Sequence, residues 1–136
     1  MRSVDEGEVQ RWFTAYLEEF VAVGRRDVDD AARLVAHYAV PLVLSSPRVT
    51  TTLTDEAAIV AAISQQIEGM RAAGFAATEV LGGATTVLNA SCALHQAALR
   101  RTARDGSEIA RFDVTYLITD QAAVRRISAL IVHSHE

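Results

Sequence analysis

The sequence predicts an α+β fold in which three N-terminal helices pack on a strongly curved, mainly antiparallel sheet of about six strands. Two features of the pattern carry this reading. Apolar residues recur at helical spacing through most of the first half, and from Phe75 onward they alternate with polar ones. Composition fits one domain spanning residues 1–136: half the residues are apolar and 22% are charged, enough for a sizeable core without disulfides.

The first helix is the clearest element. Val9, Trp12, Phe13, Tyr16, Leu17, Phe20 and Val21 form a broad apolar stripe. Asp5, Glu6 and Glu8 sit near its positive end, and Arg25-Arg26 follow Gly24 at the other. Asp27 is the expected cap of a second helix with Val28, Ala31, Ala32, Val35 and Tyr38 on its buried side, ended by Pro41. Pro41 to Ser45 reads as a short strand and Arg48 to Leu53 as its hairpin partner. Thr54 is the expected cap of a third helix, whose apolar face is Ile59, Val60, Ile63, Ile67 and Met70, with Gly74 as its stop. Segments near 76–88, 91–103, 108–119 and 124–135 read as four strands, with Gly82-Gly83 marking a bulge where the sheet bends.

Composition excludes several function classes. The formal charge is −4, and the arginines fall in short pairs (Arg25-Arg26, Arg100-Arg101, Arg125-Arg126) without a basic face, which argues against nucleic acid. The single Cys92 permits no internal disulfide and reads as a small strand hydrophobe. Met1 to Glu6 lacks the apolar run of a signal peptide, and no segment is long enough to span a bilayer, so a cytoplasmic protein is expected. No phosphate loop or other cofactor motif is legible, and no cofactor is expected. His133-Ser134-His135 could project two imidazoles to one side of a strand, but the pair lies at the very end of the sequence with only Glu136 beside it, and no metal is expected.

Turn geometry predicts which side chains share the inner face. A two-residue Asp105-Gly106 turn pairs Arg104 with Ser107, hence Leu99 with Phe112, Ala97 with Val114 and His95 with Tyr116. Phe112, Val114, Tyr116 and Ile118 then face the helices, while Arg111, Asp113 and Thr115 face outward. An even loop around Asp120 to Ala123 adds Ile127, Ala129, Ile131, His133 and His135 to the inner face; an odd loop exchanges the faces. The Ile127-Ala129-Ile131 set favours the even loop.

The order of elements carries a family resemblance. The first helix ending at Arg25-Arg26-Asp27-Val28-Asp29, the segment Tyr38-Ala39-Val40-Pro41 and the last strand Val124-Arg125-Arg126-Ile127-Ser128-Ala129 resemble the nuclear transport factor 2-like superfamily. That group includes ketosteroid isomerase, scytalone dehydratase and SnoaL-like cyclases. The resemblance implies a cystatin-like cone, an apolar pocket and homodimers formed through the sheet. It does not imply ketosteroid isomerisation: Val40-Pro41-Leu42-Val43 has no acid where that enzyme carries its base, and the strand 108–119 presents Tyr116 instead of an inward carboxylic acid.

The expected pocket takes His95 and Tyr116 as catalytic candidates, with Tyr16, Tyr38, Phe112 and His133 as ligand-binding ones. Imidazole and phenol groups in an apolar cavity suit proton transfer. Each also fits a core role, since buried His and Tyr side chains are ordinarily hydrogen-bonded within the core. The functional expectation is therefore a pocket for a small hydrophobic molecule, with His/Tyr acid-base chemistry of a lyase or isomerase kind. The alternative is a non-catalytic dimerisation or protein-interaction module whose own side chains fill the cone.

Overall fold

The structure, a computed structural model, describes residues 5–27, 30–121 and 124–134. Helix α1 spans Glu6–Gly24 and opens on Asp5, whose carboxylate accepts from the Glu8 amide. Its apolar stripe is wider than the core beneath it. Val9, Phe13, Tyr16, Phe20 and Val23 are buried, while Trp12, Leu17 and Val21 flank them half-buried.

The expected second helix is shorter and begins later. It is a 3-10 turn over Ala31–His37 capped by Asp30, which accepts from the Ala32 amide. Val28 lies outside the described residues. Tyr38 is not on this helix: it opens strand β1, Tyr38–Ser45, and pairs with Ile127. Pro41 holds Val40, the residue before it, to extended backbone, in keeping with a strand and not a helix at this point. Strand β2, Thr50–Leu53, completes the hairpin with β1.

Helix α2 spans Glu56–Ala72 and follows that hairpin, so the helices are not all N-terminal. Asp55, not Thr54, is its cap, accepting from the Ala58 amide at 2.7 Å. Ile59, Ile63, Ile67 and Met70 form its buried face, and Gly74 leaves it at φ 77°. The Arg71 guanidinium donates to the Val23 carbonyl at 2.6 Å and 3.1 Å, tying α2 to the last turn of α1.

Strands β3 (Phe75–Asn89), β4 (Cys92–Ala103), β5 (Glu108–Gln121) and β6 (Val124–Val132) complete a six-stranded sheet ordered β2-β1-β6-β5-β4-β3. Only β1 and β6 run parallel among these neighbours. In β3 the register slips between Val80 and Gly82, so the expected bulge falls at Leu81, just ahead of the glycine pair. The helices cover the inner face, where Leu99, Val114, Tyr116, Ile118 and Ile127 meet α1, Leu34 and Ile63 in one core. Among the described residues no helix is long and apolar enough to cross a membrane.

Two bulges decide which side chains face inward. The β4–β5 turn holds three residues, not two. Ala103 donates to the Ser107 carbonyl and accepts from Gly106, whose φ is 87°. That loop alone would displace every pair by one. A register shift at Ile109 restores the count, and Leu99, Ala97 and His95 do face Phe112, Val114 and Tyr116. The β5–β6 connection is even, as expected: Gln121 pairs with Val124, and Ile118 with Ile127. Beyond that point Ser128 is the extra residue, since Leu117 pairs with Ala129 and Tyr116 with Leu130. Its hydroxyl bonds the Thr119 hydroxyl at 2.5 Å. A one-residue slip reverses the faces, so Leu130 and Val132 turn inward while Ala129, Ile131 and His133 turn outward.

Candidate functional site

Two cavities lie between α1 and the inner face of the sheet. The larger is an open cleft of about 700 Å³ walled by Phe13, Leu17 and Val21 of α1 and by Thr78, Val80, Gly83 and His95 of β3 and β4. The flank of the helical stripe that the core leaves half-buried becomes one wall of this cleft. Gln10, Thr14, Glu18, Arg25 and Asp27 also line it, giving it a polar edge.

His95 lies in this cleft and is only 8% exposed. Its ring packs on Phe13 with centroids 4.2 Å apart. Its Nδ1 is 2.8 Å from the hydroxyl of Thr85, the residue directly across on β3. Nε2 has no hydrogen-bond partner among the described residues, and no buried side-chain nitrogen or oxygen there is left unsatisfied, so Nε2 reaches the cleft. A methyl group on Gly83 would sit 3.8 Å from that nitrogen and 3.3 Å from the Gln96 carbonyl, so the missing side chain at Gly83 keeps the approach open. Burial lowers the imidazole pKa below its ordinary value, holding the ring neutral at pH 7. The threonine hydroxyl can donate or accept, so Nε2 can serve either as acceptor or as donor.

The second cavity is small, with a volume of about 30 Å³. Tyr16, Phe20, Gln66, Arg101, Phe112 and Tyr116 contribute to its wall. Leu17 and Thr78 line both cavities. Tyr16 and Tyr38 join hydroxyl to hydroxyl at 2.5 Å. Burial pushes the phenols of Tyr16, Tyr38 and Tyr116 well above their ordinary pKa, so all three stay protonated. Phe13 packs against Tyr116 (4.8 Å) as well as His95, and these cross-strand neighbours line different cavities.

The other expected site residues divide. Tyr16 and Phe112 line the small cavity. Tyr38 is fully buried, with its hydroxyl bonded to Tyr16. His133 is not on the inner face. The Ser128 bulge turns it outward, where Nε2 lies 2.6 Å from the Thr115 hydroxyl. His135 lies outside the described residues.

Sequence reasoning missed Thr85, Gly83 and Arg101. Arg101 carried a usable signal, because Ala93, His95, Ala97, Leu99 and Arg101 alternate along β4 and an inward His95 implies an inward Arg101. Thr85 required the β3–β4 register, which shifts at three places.

The comparisons agree on the fold. Solved structures with similar folds include yeast UBP3-associated protein BRE5 (17% identity, TM-score 0.69, covering 92% of this chain and 95% of that one). An NTF2-like protein of unknown function from Pseudomonas putida KT2440 matches at 15% identity and TM-score 0.69, covering 96% and 86%. An NTF2-like protein with a cystatin-like fold from Novosphingobium aromaticivorans matches at 17% and 0.69, covering 93% and 79%. Among curated proteins none matches. A family described as NTF2-like protein (DUF6841) matches residues 5–135, nearly the whole chain, and the protein belongs to that family.

Proposed function

We propose that the protein binds a small, largely apolar molecule in the cleft between α1 and strands β3 and β4, with His95 meeting the ligand's polar group. The observation that carries this reading is the unpartnered Nε2 of a neutral, Thr85-tethered imidazole facing an apolar-walled cleft. Pockets of this size, in which apolar walls are joined by polar groups that orient a ligand, are the usual form of small-molecule sites. Such an imidazole can take a proton from a carbon acid or hydrogen-bond a carbonyl, the elementary steps of isomerases and lyases. Tyr116 supports the site through Phe13 rather than by contact with a molecule in the cleft.

Fluorescence titration with the neutral probe N-phenyl-1-naphthylamine tests the location. Saturable binding is expected, weakened at least about tenfold by Gly83→Val, which puts side-chain atoms into the cleft. Equal binding by the wild type and Gly83→Val would move the site elsewhere.

A homodimer through the outer face of the sheet is a second part of the proposal. Leu94, Leu117, Ala129 and Val43 form a row of cross-strand partners on β4, β5, β6 and β1, with Ile131 beside it at 40% exposure. An apolar row of this kind, bordered by Arg111, Asp113 and Thr115, has the composition of an interface core and rim. Leu130 and Val132, which the even loop and strict alternation would put on this face, support the inner one instead.

A further inference from the structure

Arg101 is a cation on the inner face of the cone with no anion to match it among the described residues. Its guanidinium carbon lies 4.8 Å from the centre of the Phe112 ring and 5.7 Å from that of Phe20, a cation-π contact with each ring at the wall of the small cavity. Among the described residues it forms no ion pair and no hydrogen bond, and no acid lines that cavity. The contrast with its neighbour is informative. Arg100 points outward and pairs with both Glu79 and Glu108, so carboxylates stand close by in sequence and none is supplied to Arg101. The phenols of Tyr16, Tyr38 and Tyr116 interact electrostatically with Arg101, but burial keeps them neutral and they cannot supply the charge.

A partly buried cation without a counter-ion carries a desolvation cost that aromatic faces offset only in part. We infer that the ligand of the cone is a monocarboxylate, its carboxylate seated on Arg101 and its apolar body running past Leu17 and Thr78 into the cleft. This rests on the reading of the cleft as a ligand site and names the ligand's class. The planar fork of a guanidinium matches the two oxygens of a carboxylate. A phosphate fits less well: one cation would face close to two charges, in a cavity of about 30 Å³ that admits a small head group. Thr78 is the cross-strand partner of Arg101 and lines both cavities, so the two cavities approach each other beside the cation.

The test compares octanoate with octanamide, equal in chain length and differing in charge, as competitors of N-phenyl-1-naphthylamine. The wild type is expected to prefer octanoate by at least about tenfold, the scale of a charge-assisted pair. Arg101→Met should abolish that preference while keeping octanamide binding, and Arg101→Lys should restore part of it. Octanamide binding also reports that each variant retains its cleft. Equal binding of the two compounds by the wild type, or a preference that survives in Arg101→Met, would overturn the carboxylate inference and leave the cleft standing. Failure of the probe and both competitors to bind would overturn the cleft reading and this inference together.

Discussion

His95 is held on one side only, and that asymmetry gives it a titration signature. Its pKa is lowered because burial disfavours the charged ring, so at acid pH the unfolded chain binds a proton that the folded chain resists. The sign follows: this contribution to stability is fully present above the unfolded value, about 6.5, and is lost as pH falls through the lowered folded value. Urea unfolding of the wild type and His95→Phe between pH 8 and pH 5 should therefore show the wild type losing more stability on acidification. Parallel curves would mean the imidazole titrates freely. The Tyr16–Tyr38 pair makes a different prediction. Removing one hydroxyl leaves the other buried without its partner, so Tyr38→Phe should cost about 1–3 kcal/mol, whereas the double variant Tyr16→Phe/Tyr38→Phe should recover much of that loss. Additive losses in a denaturant cycle would contradict the bond's role.

Among the elements, those legible in the sequence were those whose signal is local. The stripe of α1, the face of α2 and the alternation of β3 to β6 each lie within one segment, and each appears with nearly the expected bounds. What sequence could not show was how segments count against one another. The Arg104-Asp105-Gly106 loop has one residue more than the Asp-Gly signal implies, yet His95 still faces Tyr116 because the extra residue at Ile109 cancels it. Ser128 had no such compensation, so the expected inner set Ala129, Ile131 and His133 was reversed. Its trace was present in the spacing of Ile127, Leu130 and Val132, which strict alternation cannot place on one face. The cap of α2 was missed by one residue because Thr54 and Asp55 are both good caps. Their variants should separate them: Asp55→Ala is expected to cost about 0.5–2 kcal/mol in thermal or urea unfolding, and Thr54→Ala under about 0.5 kcal/mol. The reverse order would return the cap to Thr54.

For the whole molecule, the sheet separates two surfaces with different tasks. Its inner face builds the core and the two cavities, and its outer face carries the apolar row through Leu94, Leu117 and Ala129. If that row is the interface, light scattering at micromolar concentration should give the mass of a dimer, and Leu117→Arg should give a folded monomer. A monomeric wild type would remove the dimer from the account and leave the cleft untouched. The cleft is the central claim, and the nitrogen at its floor can be observed directly. Long-range proton–nitrogen spectra of the imidazoles, recorded during titration with N-phenyl-1-naphthylamine, should show His95 Nε2 shifting with saturation while the outward His133 stays in place. Saturation of the probe with His95 unmoved would contradict the account.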